Sequence, residues 1–429
     1  MSQNSVKSAI LIASVGNAVP AALGFLSAPV LARAFSTSDR GELAAATSLL
    51  LLATSAMSFG IPESLTFHVA RRLAGAHLVL KASLLVIFVG SVVWIALVCV
   101  TPVIYKSEPQ IQSLVRIALA ALIPTLLVGA LRGIAIGQQR WWLVTVEKAI
   151  GAASRLGALV VLVLLGELSQ YAAVLIVSLS GFFGGIVYVG LAWRGGAGLE
   201  MRAESTSLKT LMSYGSRVWV GSLTGILLSR LDQAIMAPIA GSAALGIYVV
   251  AATIVELALV LNSAVSAVMF SKQSSTIDDA QLGFAARVST LLTALVSLAI
   301  AVAAPVAVPL TFGPDYYAAI PVLGVLLLGV VLANPGSVAG AGLNARGRPG
   351  LRSTALLLGL AVNVLLLFPL GAAYGALGAA IATLAGTFVA GWMNIVFLRL
   401  FFGIESVQFM AIRLSDLRRV ASVIRPRKQ

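Results

Sequence analysis

From residue 8 to residue 402 the chain is a succession of apolar stretches, each about 20 residues or longer, parted only by short clusters of charge, proline and glycine. A helix needs about 20 mostly apolar residues to cross the hydrocarbon core of a bilayer, where no water satisfies an exposed backbone amide. No interval between the stretches is long enough for a soluble domain of useful size. The solvent of this chain is therefore lipid. Only 10% of its 429 residues are charged, against about a quarter in soluble domains, and the mean hydropathy is +1.01.

Breaks at charges, prolines, glycines and turn clusters place spans near 8–33, 43–69, 79–104, 112–138, 142–165, 169–193, 210–239, 243–270, 284–312, 317–343, 352–371 and 374–402. The uncharged run from Ser353 to Leu398 is long enough for two spans, with the cluster from Gly371 to Gly378 as their turn. Lys7 followed by a long apolar segment without a small-residue cleavage site suits a retained first helix. Cys99 is the only cysteine and lies in an apolar run, which excludes disulfide frameworks and cysteine metal sites.

Lys and Arg fall unevenly about these spans. Lys7, Arg71, Arg72, Lys81, Arg140, Lys148, Arg194, Arg202, Lys209, Lys272, Arg287, Arg346, Arg348, Arg352 and the tail alternate onto one side, whereas the other has Arg33, Arg40, Lys106 and Arg116. Cytoplasmic loops keep positive charge, so both termini are expected in the cytoplasm. The net charge of +14 then reports topology and contact with anionic lipid, and no nucleic-acid partner is expected. The tail has Met410, Leu414, Leu417, Val420 and Ile424 at helical spacing, opposed by Arg413, Asp416 and Arg419, which reads as a basic amphipathic helix on the inner leaflet.

An offset of 205 lays Gly16 on Gly221 and Gly41 on Gly246; an offset of 208 lays Gly151 on Gly359, Arg140 on Arg348 and Arg155 on Asn363. Six spans per repeat make the repeats parallel, around an axis along the membrane normal. The expected fold is an all-α integral membrane protein of about twelve transmembrane helices, in two six-helix lobes around a central cavity. The lobes are residues 1–193 and 210–402, joined by a cytoplasmic linker at 194–209 and followed by the tail at 403–429.

The first two spans read Pro29-Val-Leu-Ala-Arg33, Asp39-Arg-Gly-Glu-Leu43, Gly60-Ile-Pro-Glu-Ser64 and Val69-Ala-Arg-Arg72. Spans seven and eight read Tyr214-Gly-Ser-Arg217, Arg230-Leu-Asp-Gln233 and Gly246-Ile-Tyr-Val-Val-Ala251. With the span count, these resemble the bacterial polysaccharide-biosynthesis proteins of the MOP exporter superfamily, the Wzx-type translocases of lipid-linked oligosaccharide. The resemblance implies flipping of an undecaprenyl-pyrophosphate-linked oligosaccharide across the cytoplasmic membrane by alternating access, before glycan polymerase or ligase enzymes act on it. Multidrug and toxin extruders share the two-lobe plan and are the alternative.

Ionisable groups inside a membrane are costly, so each requires a reason. Arg155, Glu256 and the polar Asn363 lie nearest the midplane of the expected spans, and Lys148 and Arg155, seven residues apart, share a helix face. A pyrophosphate in a low-dielectric cavity needs charge-assisted donors. Arg155 is the expected central contact, joined by Lys148, Arg132, Arg230 and Asn363; the alternative is a permanent ion pair of Arg155 with a carboxylate such as Glu256. Arg230 and Asp232, two positions apart, point away from one another, and Asp232 shares a face more nearly with Arg217. Glu256 and Asp232 are the candidates for a coupling proton or sodium ion, and no other cofactor is expected. Glu63, Arg71, Arg72 and Arg140 mark a cytoplasmic gate, unless they simply snorkel to the interface.

Pro29, Pro62, Pro124, Pro305 and Pro335 fall within or near the ends of spans, where they would kink helices that bend. Membrane glycan polymerases and glycosyltransferases act on similar lipids, but outward loops here are short, both histidines sit on the cytoplasmic side, and no paired-carboxylate motif or metal-ligand spacing occurs. An enzyme is not expected.

Overall fold

The computed structural model describes residues 22–74, 76–106, 108–189, 207–275 and 277–410, and these are helical with no strand among them. The first helix, α1, covers Ala22–Ala34. A capping box starts α2 (Thr37–Met57): Asp39 N donates to Ser36 Oγ at 3.2 Å, and the Asp39 carboxylate accepts from Ser36 N. The expected start at residue 43 is thus six residues late.

Continuity of the second span through residue 69 is also corrected. Gly60 takes a φ of 68°, Pro62 sits in the first turn of α3 (Ile61–Ala70), and the two helices meet at a 47° bend. Then follow α4 (Ala76–Ile104), α5 (Pro109–Ala120), α6 (Leu122–Gly137), α7 (Trp141–Leu165) and α8 (Gln170–Gly185) with a 3-10 turn at Ile186–Tyr188. Pro124 falls in the first turn of α6, just past the break at Ala121. The later helices are α9 (Leu208–Ala240), α10 (Ser242–Ser275), α11 (Asp279–Phe312), α12 (Ala319–Ala345), α13 (Pro349–Phe402) and α14 (Val407–Met410). Pro305 and Pro335 lie within helices assigned as continuous.

Among the described residues eight helices are long and apolar enough to cross a membrane, nine when the bent α2–α3 pair counts as one span. The chain is an all-helical, multi-pass membrane protein. α13 covers the eleventh and twelfth expected spans, turned at Gly375 with φ 57° and ψ −130°, inside the expected turn. The linker at 194–206, the start of the first span and the tail beyond residue 410 lie outside the described residues.

The chain groups into two compact units. One holds the described residues through Val250 together with Thr311–Tyr316; the other holds Ala251–Leu310 and Tyr317 onward. In the first unit α2 packs on α5, α8 and α9, α3 on α6 and α9, and α7 on α8. The start of α2 meets the start of α10 reciprocally: a Cβ on Gly41 would strike the Ser242 carbonyl, and one on Gly246 would strike the Thr37 carbonyl. Gly41 and Gly246, counterparts 205 residues apart, face one another at this seam: a Cβ on either would also come within 2.9 or 3.2 Å of the other's amide nitrogen.

In the second unit α12 lies along α13. Asn334 is fully buried and donates through Nδ2 to Ser289 Oγ and Thr290 Oγ1, each at 3.0 Å, binding α12 to α11. Leu282, Ala286, Val338, Leu343, Leu398 and Phe409 form a core where the start of α11 meets the ends of α12 and α13.

Candidate functional site

Charged and hydroxylated side chains of the first unit gather in three places along its helices. At the N-terminal half of α7, Glu147 is almost completely buried and accepts a bidentate fork from Arg132 of α6, Nε at 2.9 Å and Nη2 at 2.7 Å. Tyr188 OH donates to the same carboxylate at 3.0 Å. Such a fork satisfies most of the lone pairs that burial strips of water. Arg132 itself remains over a third exposed. Lys148 lies within electrostatic reach of both partners.

Two turns along the same face stands Arg155, about 10 Å further up α7. Its Nη2 lies where a Cβ on Gly24 of α1 would come within 2.9 Å, so the glycine makes the room the guanidinium uses. Arg155 also lies within electrostatic reach of Arg40. Arg40, read in the sequence as an outward loop charge, is buried in the first turns of α2. Beside Arg40 is the fully buried Tyr316, whose phenol burial pushes up to about 12 while Arg40 draws it back. Asp39 and Glu42 both accept from Gln170 Nε2, at 2.7 and 3.2 Å.

The third gathering joins α9, α10 and α2. Asp232 is buried and accepts from Tyr248 OH on one oxygen and from Gln233 N on the other. Gln233 Oε1 accepts from Ser48 Oγ at 3.2 Å and from Arg230 Nη1 at 3.3 Å. Arg217 turns to Ser213 of its own helix, at 3.4 Å. Tyr105 OH donates to the Ala234 carbonyl at 2.6 Å, fixing the same stretch of α9.

Of the expected gate residues, Glu63, Arg71 and Arg72 are exposed and Arg140 half-buried. Arg71 lies over the Phe67 ring at 4.4 Å. The half-buried seam beside them is apolar and aromatic. Phe67 stacks on Tyr214 at 4.2 Å, Phe59 stacks on Trp219 at 5.2 Å, and Ser64 Oγ donates to the Leu211 carbonyl at 2.7 Å. His68 is buried there against Ser64 and Tyr214.

Asn363 and Glu256 belong to the second unit. Asn363 is buried and donates to Thr383 Oγ1 at 3.3 Å across the two arms of α13, while Glu256 lies on an exposed face of α10. The residues that sequence reasoning missed are Arg40, Tyr188, Tyr248 and Tyr316. For Arg40 a signal existed: the Ser36–Asp39 capping box starts the helix early enough to carry it inside.

The model for a family described as polysaccharide biosynthesis protein matches residues 6–271. No curated protein matches the chain by sequence. Among solved structures, the inward-facing conformation of a multidrug resistance MATE family transporter of the MOP superfamily is similar with a TM-score of 0.73 at 14% identity, covering 93% of this chain and 100% of that one. The lipid II flippase MurJ, in an inward closed conformation, has a TM-score of 0.71 at 13% identity and covers 96% of this chain and 92% of its own. A MOP superfamily transporter from Pyrococcus furiosus, described as having a binding pocket of reverse polarity, has a TM-score of 0.64 at 15% identity and covers 94% and 97%.

Proposed function

Because the chain belongs to the polysaccharide biosynthesis protein family and has the fold of MOP superfamily transporters, we propose that it flips a lipid-linked oligosaccharide, carried on undecaprenyl pyrophosphate, across a bacterial cytoplasmic membrane. Both termini are cytoplasmic in this reading, and glycan polymerase or ligase enzymes take the product on the far side. Alternating access needs no covalent step, and the reading assigns none.

The observation that carries it is the file of cations on and beside α7: Lys148, then Arg155 in the space left by Gly24, then Arg40 within its electrostatic reach. Two guanidinium groups in a low-dielectric interior repel one another, and an anion between them relieves that cost. A pyrophosphate supplies two charge centres and the acceptor geometry that guanidinium forks match. Lys148 at the lower end offers a single-point contact on the way.

A second reading, export of organic cations coupled to protons or sodium, is favoured by the buried Asp232–Tyr248 pair, a carboxylate on α9 closed off from the surface. Reconstitution into liposomes separates the two. A fluorescent undecaprenyl-pyrophosphate glycan that becomes protected from an external quencher with wild type, and not with Arg155→Ala of equal folding, supports the flippase. A stationary lipid with gradient-driven uptake of a cationic dye overturns it in favour of the exporter.

A further inference from the structure

Between α1 and the C-terminal half of α7 lies a cavity of about 310 Å³, lined by Val30, Arg33 and Ala34 from α1 and by Val160, Val163 and Leu164 from α7. Five of its six walls are apolar. Val160, Val163 and Leu164 stand at i, i+3 and i+4, one face of the helix, and all three are exposed on the outside of the protein. The cavity is a slot opening onto lipid.

Arg33 is the exception, and it is the last residue but one of α1. It is exposed, and its Nε donates to the Thr311 carbonyl at 3.0 Å, which holds the head group at the slot's upper end. Nine residues below Arg33 on α1 is Gly24, and nine residues below Leu164 on α7 is Arg155, the pair already described as touching. Nine residues of helix are about 13 Å. One seam between two helices thus carries a guanidinium at its base and, in its upper part, an apolar slot with a second guanidinium at its mouth.

We propose that this slot seats the isoprenoid chain of the carried lipid in the outer leaflet, with Arg33 taking its phosphate, so that the α1–α7 seam is where product waits before leaving. The proposal rests on the flippase reading and adds the site of lipid release to it. The size favours a single-chain lipid: the slot is at the small end of the range of about 300–1,000 Å³ for ligand pockets and takes one chain segment, not a pair. Branched walls of Val, Leu and Ala match a methyl-branched chain by contact alone, and Arg33 supplies the charge complement to a phosphate at the membrane surface.

The test uses the full-length protein in nanodiscs of phosphatidylethanolamine and phosphatidylglycerol, with a diazirine-bearing polyprenyl phosphate as the probe. Mass spectrometry of the labelled protein is expected to place the adduct within residues 30–34 and 160–164. Ala34→Phe fills the slot and lowers labelling about tenfold, the worth of one buried side chain's contacts. Leu164→Trp, at a position already exposed to lipid, does the same if Ala34→Phe misfolds. Arg33→Gln lowers labelling and Arg33→Lys restores part of it.

Excess unlabelled polyprenyl phosphate removes the signal, whereas excess phosphatidylglycerol leaves it. Equal competition by phosphatidylglycerol overturns the proposal and makes the slot a site for bilayer phospholipid. Adducts elsewhere, or labelling indifferent to Ala34→Phe and Leu164→Trp, also overturn it. Leaflet redistribution measured on the same preparations keeps the two claims apart. Slot labelling without redistribution rejects the flippase reading alone; redistribution without slot labelling rejects the slot alone.

Discussion

Arg155 occupies the volume that Gly24 vacates: a Cβ at position 24 would stand 2.9 Å from its Nη2. The obstacle is the far end of a flexible side chain, so Gly24→Ala is expected to fold normally, with thermal stability within about 0.5 kcal/mol of wild type. It displaces the guanidinium from its seat, and leaflet redistribution should fall severalfold. A Gly24→Ala protein with full transport would remove the seat from the mechanism.

The fork between Arg132 and Glu147 behaves differently. Glu147→Ala leaves the Arg132 guanidinium without its counter-charge and should cost about 2–3 kcal/mol, below the penalty of breaking a fully buried pair because water reaches the exposed third of Arg132. Tyr188→Phe removes one hydrogen bond to the carboxylate and should cost about 1–3 kcal/mol. Thermal unfolding in detergent, read against wild type, ranks the two; an order with Tyr188→Phe worse would mean that the fork contributes little.

Where α2 meets α10, the obstacles are backbone carbonyls, which cannot swing aside. Gly41→Val and Gly246→Val are each expected to lower stability by about 1–3 kcal/mol through overpacking, measured as a drop in Tm. Equal drops from the two positions follow from the reciprocity of the contact.

Tyr316 gives a pH signature. Its folded value of about 12 lies above the ordinary phenol near 10, so its contribution to stability is intact below pH 10 and is lost as pH rises toward 12. Phenolate absorbance should show one tyrosine fewer ionising in that window for Tyr316→Phe.

The Asp232–Tyr248 pair addresses coupling. Asp232→Asn keeps an acceptor for Tyr248 and loses the one for Gln233 N, so it should fold with stability lowered by about 1 kcal/mol, and it should abolish acceleration of transport by an ion gradient while leaving exchange without a gradient. Unchanged gradient dependence would assign coupling elsewhere.

Much of the helical layout was legible because lipid imposes a simple rule on composition: charge, proline and glycine gather where the chain turns. The turn at Gly375 fell within the expected Gly371–Gly378 cluster. Hidden were features decided by partners far apart in sequence. Tyr188 reaches Glu147 across 41 residues and Tyr316 comes within electrostatic reach of Arg40 across 276, and no local pattern announces either. The bend at Gly60 was written in Gly60 and Pro62, but apolar residues continue on both sides and concealed it. Arg40 illustrates a misplaced boundary: a helix begun six residues early turns an interfacial charge into a buried one.

Thr37 touches Gly246 while Ser242 touches Gly41; the counterparts Thr37 and Ser242, like Gly41 and Gly246, stand 205 residues apart. Two identical molecules related by a two-fold axis meet in this way, residue i on j and j on i. Within one chain the same reciprocity gives the seam two equivalent edges, each a glycine under a backbone carbonyl. A side chain added at either edge would push the two helix starts apart by the same route, so neither edge can be relaxed while the other stays closed.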